Sequence, residues 1–488
     1  MPFTVFPRST PSAQGVASTA VEAFLDAVGS HPDVEMHSLM LLRNGYVVSE
    51  GWWAPYAPER VHLLYSLSKS FTATAAGFAV AEGLLDLDRT VLSYFPEFDA
   101  DITDEGSRSI LVRHVAAMAS GHQEETIEQA LANDPAEPVR GFLMIPPEHE
   151  PGTWFAYNQP CTHALAAIVQ RESGQRLVDY LRPRLFAPLG IDDVGWHQHP
   201  TGRDLGFSGL HATTDAIAKL GQLYLQRGWW GNRRLLSEDW VAEATSTQVA
   251  NPLQENPDWR QGYGFQFWMA RHGFRGDGAY GQFCVVLPDE QVVVAITGAS
   301  IDMQAVLDAL WTHLLPGLSD DHRVSPDRTA ADLRLARRMT TLALEPAPGD
   351  TGPGQGVERW EGAVFTPSAG TCKEQPSLTS VLLDRISDGW RISLVEGEET
   401  IRCRLSDAGG WTVGDADTGE TETDGEEVDV PVALSGGWVR GQLVVEVLFL
   451  ETPHRLTVAC DVTGGTFDAT WGTVPLRTGT LAELRKPD

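Results

Sequence analysis

The spacing of apolar and polar positions gives an order of elements before any single residue is weighed. Residues 17–29 place apolar side chains at helical intervals. His37 to Ser49 reads as two short strands around Asn44-Gly45, a dipeptide suited to the tight turn of a β-hairpin. Ser66 opens an alanine-rich stretch that runs to Glu82 and is ended by Gly83. It is apolar nearly all round, so the helix it predicts is expected to be buried. Helical patterns dominate from about residue 84 to 260, including 162–173, 177–186, 213–226 and 238–245. Three strand-like runs follow at 263–270, 279–287 and 291–297, with Gly276-Asp277-Gly278 and Pro288-Asp289-Glu290 between them, and then a helix over 303–315. A sheet interrupted by a long, mostly helical insertion is the simplest architecture with this order.

The pattern changes after Pro316. Residues 333–341 keep helical spacing, but the run from Glu345 to Gly354 is rich in proline and glycine and has linker composition. Beyond it, alternating segments at 391–395, 437–450 and 455–462 predict an antiparallel β domain. The acidic stretch 415–427 reads as a solvated loop. The expected division is a first domain over 1–316 containing the helical insertion, a linker over 317–355 and a β domain over 356–488.

Composition narrows the setting. A chain of 488 residues is long for one core, and 42% hydrophobic residues suffice for a substantial interior. A formal charge of −30 disfavours nucleic acid and anionic membrane as partners, since both require compensating cations. No apolar run approaches the roughly 18–20 residues of a membrane span. Met1 to Arg8 lacks a basic region leading into an apolar stretch, so no signal peptide is expected. Cys161, Cys284, Cys372, Cys403 and Cys460 are odd in number and far apart, which reads as reduced thiols in a cytoplasmic protein. His197-Gln198-His199 has metal-like spacing without an evident third ligand, so no metal site is expected.

The candidate chemistry lies at Tyr65-Ser-Leu-Ser-Lys-Ser-Phe71. It holds the sole Ser-x-x-Lys of the chain, Ser66 and Lys69, one helical turn apart. Lysine occurs only at 69, 219, 373 and 486, so basic positions have gone almost wholly to arginine. Arginine stays protonated, whereas a buried lysine can act as a base. Desolvation inside an apolar helix lowers a lysine pKa from about 10.4 towards 7–8, at a cost of roughly 3–5 kcal/mol. Ser66 falls at the helix start, where backbone N–H groups favour negative charge. No Gly-x-Ser-x-Gly elbow offers a competing serine.

A second element, Pro151-Gly-Thr-Trp-Phe-Ala-Tyr157-Asn158-Gln159, precedes a helix from about Thr162. Together the two elements resemble the class C β-lactamase-related serine hydrolases, which include DD-peptidases, D-aminopeptidases and carboxylesterases. Leu111 to Gly121, Pro188 to Ile191 and Leu235 to Trp240 fit in collinear order, so the resemblance covers about residues 35–315. It implies an α/β (α+β) fold of the β-lactamase/transpeptidase type, an antiparallel sheet with a helical subdomain, to which the C-terminal antiparallel β domain is added. It further implies Ser66 as nucleophile, Lys69 as proton acceptor and Tyr157 as proton shuttle, with no metal or organic cofactor. Where the motif's last position is usually Asn, this chain has Gln159 preceded by Asn158, and the sequence does not choose between the two amides.

The third element of the resemblance is Gly276-Asp277-Gly278-Ala279. Gly278 permits close approach of substrate, and the Ala279 N–H is expected to complete an oxyanion hole with that of Ser66. The usual cation is missing. Arg275 is adjacent, but alternation along a strand is expected to turn it elsewhere. Asp277 in the cation's place, read as a substrate-binding group, favours neutral or amine-bearing esters and amides over penicillins. The expected activity is hydrolysis of an ester or amide of a small molecule or short peptide through an acyl-enzyme. β-Lactamase, D-aminopeptidase or acyltransferase chemistry by the same mechanism is the alternative, as is a catalytically weak binding protein on this fold. Trp52, Trp53 and Tyr56 either line the pocket or pack in a core. The β domain is expected to cap the cleft or to mediate a homodimer.

Overall fold

The computed structural model describes residues 5–320, 325–354, 356–414, 426–427 and 430–487. The chain divides into two compact units. One comprises Met1–Gly51 with Leu63–Thr340, the other Trp52–His62 with Thr341–Asp488. Most of the acidic stretch, 415–425, lies outside the described residues.

The first unit is built on a six-stranded sheet. In spatial order its strands are Tyr46–Trp52, Met36–Arg43, Val292–Gly298, Gln282–Leu287, Phe274–Gly278 and Trp268–Met269. The registers given by Leu39 opposite Ile296, Cys284 opposite Ala295 and Cys284 opposite Gly276 are antiparallel. Val292–Gly298 and Gln282–Leu287 are buried along their whole length, as near-continuous apolar runs require. Asn44 and Gly45 both take positive φ, 54° and 79°, which gives the hairpin turn its twist. The helix Thr214–Leu225 packs against this sheet at Gly221. A Cβ there would lie 2.6 Å from Val293 and 2.9 Å from the Cys284 sulfur.

The Ser68–Ala81 helix starts from a 3-10 turn over Tyr65–Leu67 and is buried continuously from Ser68 to Ala79. Gly83 takes φ +71° just beyond its end, where a left-handed residue caps the last carbonyls. Between it and the strand Trp268–Met269 lie several helices, among them Gln159–Ser173, Leu177–Leu181 and Glu238–Ala244.

Three local expectations are corrected. Gly276-Asp277-Gly278 lies within a strand, Phe274–Gly278, because Gln282 and Cys284 pair with Gly278 and Gly276 and supply the ladder that local composition cannot announce. The run at 263–270 yields only the strand Trp268–Met269, since Gln266 turns to φ +61° to serve the helix layer through its side chain. The stretch 317–355 carries a 14-residue helix, Pro326–Met339. Ser325 caps its N-terminus and Pro326 opens it. Arg334 and Arg338 pair with Glu22 and Asp26 of the helix Ser18–Ser30.

The second unit is a ten-stranded sheet. It runs in space from Thr412–Gly414 through Val432–Val439, Gln442–Phe449, Arg455–Asp461, Thr466–Trp471, Ala363–Pro367, Ser380–Ile386, Gly389–Glu396 and Glu399–Ser406 to Glu426–Glu427. Glu399–Ser406 comes against Val432–Val439, so the sheet nearly closes on itself. Alternate residues of Arg455–Asp461 are buried, as the period of two demands. The core includes Trp390, Trp438, Phe449 and Phe467. Tyr56 is a core residue of this unit, packed with Leu344, Leu448 and Leu450. Its hydroxyl donates to the Thr452 carbonyl at 3.2 Å, and Trp53 packs against the same cluster.

Candidate active site

Ser66 sits in the 3-10 turn that leads into its helix, and it is only partly buried. The preceding residue, Tyr65, has φ +47°, a conformation that bulky side chains rarely adopt. Tyr280, next to Ala279, has φ +66°, and the two tyrosine rings meet at 5.8 Å and 66°. Two strained residues therefore flank Ser66 and Ala279, the pair read as oxyanion donors.

Lys69 is 1% exposed. Its Nζ lies 3.1 Å from Ser66 Oγ and donates to Gln159 Oε1 at 2.6 Å and to the Phe207 carbonyl at 2.8 Å. Burial pushes its pKa down to about 7, against the opposing pull of Glu125 and Asp277. A neutral amine has two N–H groups and one lone pair. With Gln159 and Phe207 taking the N–H groups, the lone pair is left for the Ser66 hydroxyl. The Tyr157 phenol neighbours Ser66, and its ring centre lies 4.7 Å from Lys69 Nζ. Burial, with Asp277 nearby, raises the phenol well above its ordinary value, so it is a neutral donor at rest.

The loop that presents Tyr157 is fixed along its length. Gly152, at φ +92°, donates to the Ala119 carbonyl at 2.7 Å, and Ala156 donates to the Met118 carbonyl at 3.1 Å. Asn158 is the N-cap of the helix Gln159–Ser173, with Pro160 in the first turn. The two amides separate here. Asn158 is fully buried, and its Oδ1 accepts from the N–H and hydroxyl of Thr126, both at 3.0 Å. Gln159 instead reaches Lys69, so it is the amide at the site.

Gly278 packs directly on the turn that carries Ser66. A Cβ at 278 would overlap the Leu64 carbonyl oxygen and stand 3.1 Å from Ser66 N. Asp277 is 6% exposed and does not stand free in the crevice. Residues two apart share a strand face, so Arg275 points to the same side as Asp277, contrary to the expectation that it turns elsewhere. Its Nε donates to Asp277 Oδ2 at 2.9 Å. Burial raises the Asp277 pKa and Arg275 opposes the rise.

Sequence reasoning missed Glu125. Its carboxylate accepts the N–H groups of Thr126 at 3.1 Å, Ile127 at 3.0 Å and Gln159 at 3.1 Å. The residue is exposed, yet crowding of its oxygens raises its pKa despite those donors and Lys69. A lone glutamate in a loop carries no spacing signal, and only the fold brings it to the start of the Tyr157 helix. His197 and His199 do not converge: their rings face His211 at 5.1 Å and His163 at 6.1 Å respectively. All five cysteines are buried and unbridged.

A serine, a buried amine and a phenol held on these three elements define a class, and comparison with known proteins agrees. The Beta-lactamase family profile matches residues 25–300, more than half of the chain, and the protein belongs to that family. It is 28% identical over 241 residues to the 6-aminohexanoate-dimer hydrolase of Paenarthrobacter ureafaciens, a match covering 44% of this chain and 61% of that protein. It is 26% identical over 161 residues to the lovastatin esterase of Penicillium rubens, covering 28% of this chain and 40% of the esterase. The chain thus spans less than two thirds of the length of these curated relatives. Among solved structures, EstCE1, a hydrolase with promiscuous acyltransferase activity, is 17% identical with a TM-score of 0.51. That likeness covers 62% of this chain and 100% of the other, and it concerns the fold alone.

Proposed function

We propose that the protein is a serine hydrolase that cleaves an ester or amide of a small molecule or short peptide through an acyl-enzyme on Ser66. The single observation that carries this reading is a buried amine, with pKa near neutrality, 3.1 Å from a partly exposed serine hydroxyl. Lys69 accepts the Ser66 proton as Oγ attacks the carbonyl carbon, directly or by way of Tyr157. The oxyanion rests on the N–H groups of Ser66 and Ala279. The neutral phenol of Tyr157 delivers a proton to the leaving group and is reprotonated from the Lys69 ammonium. Water then attacks the acyl-enzyme in the reverse sense and frees Ser66. The relatives' names, a dimer hydrolase and an esterase, support hydrolysis as the reaction type. The first domain over 1–316 is proposed to hold this chemistry, with the β domain over 356–488 in an auxiliary role.

The test is a stopped-flow burst with p-nitrophenyl esters, together with fluorophosphonate labelling read by mass spectrometry. The expected result is a burst and a single label in the wild type, both lost in Ser66→Ala. A wild-type protein that neither bursts nor labels refutes the enzymatic reading and leaves the binding-protein alternative.

A further inference from the structure

The strand beside Ser66 carries a carboxylate where the resemblance leads one to look for a cation, and the packing around that carboxylate gives it a different task. Asp277 accepts from Arg275 Nε at 2.9 Å. Arg275 is fully buried. It donates through Nη1 to the carbonyls of Asp258 at 3.1 Å and Met269 at 3.2 Å, and its guanidinium lies 4.3 Å from the Trp259 ring centre. The acid is therefore fixed from one side by a cation that is itself fixed.

The same pair backs an indole: the Arg275 guanidinium lies 5.8 Å from the Trp268 ring centre, and the two residues oppose each other on neighbouring strands. Trp268, 5% exposed, stacks on Tyr157 with ring centres 5.2 Å apart and planes 20° apart. Tyr263 stands edge-on to both rings, at 6.2 Å and 86° to Tyr157 and at 4.8 Å and 83° to Trp268. Because the indole covers one face of the Tyr157 ring, Lys69 Nζ, 4.7 Å from its centre, occupies the other. A buried carboxylate needs a cation, and a guanidinium packs favourably over an indole face. Asp277 thus holds Arg275, Arg275 packs over Trp268, and Trp268 stacks on Tyr157.

We propose that Trp268 is a positioning residue, anchored by the Arg275–Asp277 pair, which holds the Tyr157 ring so that its hydroxyl meets Ser66 and its free face meets Lys69. Proton relay depends on such placement, because a phenol free to rotate loses the aligned geometry. The free ring face also favours the Lys69 ammonium formed once the Ser66 proton has been taken. Asp277 then confers no preference for amine-bearing substrates, since its charge is already matched by Arg275. This inference rests on the acyl-enzyme reading above.

The experiment compares wild type, Trp268→Ala, Trp268→Phe and Asp277→Asn on two p-nitrophenyl esters, one neutral and one bearing an amine. Melting temperature by circular dichroism is recorded for each variant. Trp268→Ala is expected to lower the acylation rate by roughly 100-fold, the scale of a displaced catalytic group, with KM within about twofold of wild type. Trp268→Phe, which keeps a stacked ring, is expected to recover about tenfold of that loss. Asp277→Asn is expected to slow both esters alike. A wild-type acylation rate in Trp268→Ala overturns the proposal. So does a KM increase in Asp277→Asn confined to the amine-bearing ester. If Trp268→Ala fails to fold, Trp268→Phe and Asp277→Asn decide by the same criteria. Fluorophosphonate labelling of the wild type separates the two readings. A label with unchanged Trp268→Ala kinetics removes only this inference, whereas no label removes the acyl-enzyme reading and this inference with it.

Discussion

Lowering the pH through neutrality is the most direct perturbation of Lys69. With the amine's pKa at about 7, the neutral fraction is about 9% at pH 6 and about 1% at pH 5. The burst rate for acylation is therefore expected to fall close to tenfold per pH unit below the midpoint and to level off above pH 8. The same pKa sets a stability cost. A lowering from 10.5 to about 7 corresponds to about 5 kcal/mol by the 1.36 kcal/mol equivalent of one unit. The sign follows from proton counts. Between pH 7 and 10.5 the unfolded chain holds a proton that the folded one lacks, so this group's contribution grows as pH rises and is lost as pH falls to 7. Lys69→Met removes that cost while orphaning Gln159 Oε1 and the Phe207 carbonyl, at about 1–3 kcal/mol each. The variant is expected to melt within a few degrees of wild type or above it, while acylation falls by orders of magnitude. Stopped-flow bursts from pH 5 to 9, with melting curves at pH 7, measure both. A burst rate that is flat across that range in the wild type, or near-normal turnover in Lys69→Met, refutes the assignment of Lys69 as base.

Other variants probe the surroundings. Glu125→Gln removes a charge that raises the Lys69 pKa, so the acid limb of the burst profile is expected to move to lower pH by up to about one unit; a shift to higher pH contradicts the electrostatic role. Gly278→Ala drives a methyl into the Leu64 carbonyl, and fluorophosphonate labelling is expected to be lost or slowed at least tenfold even where the protein remains folded by circular dichroism. Arg275→Met leaves Asp277 buried without its cation and is expected to destabilise the protein by about 3–5 kcal/mol, measured by urea denaturation. A loss below about 1 kcal/mol would mean that Asp277 takes up a proton or finds another partner.

Much of this site was legible because its parts announce themselves locally. Ser66 and Lys69 are set one helical turn apart by spacing alone, and an apolar helix implies a desolvated lysine before any neighbour is known. The Asn44-Gly45 hairpin and the alternating strands of the C-terminal half follow equally from local periodicity. What spacing cannot give is direction across the fold. The choice of Gln159 over Asn158 was decided by the helix start that turns one amide to Lys69 and the other to Thr126. That Asp277 pairs with Arg275, and that Arg275 meets Trp268, depended on the two charged residues sharing a strand face and on Trp268 lying opposite Arg275 on the neighbouring strand. Glu125, remote in sequence from both motifs, was brought to Gln159 by the fold alone. Local sequence determines which chemical groups a chain can offer and which are buried, because propensity and burial act over a few residues. Their partners are chosen by tertiary packing, because a buried charge or donor binds whatever the fold brings within about 3 Å of it.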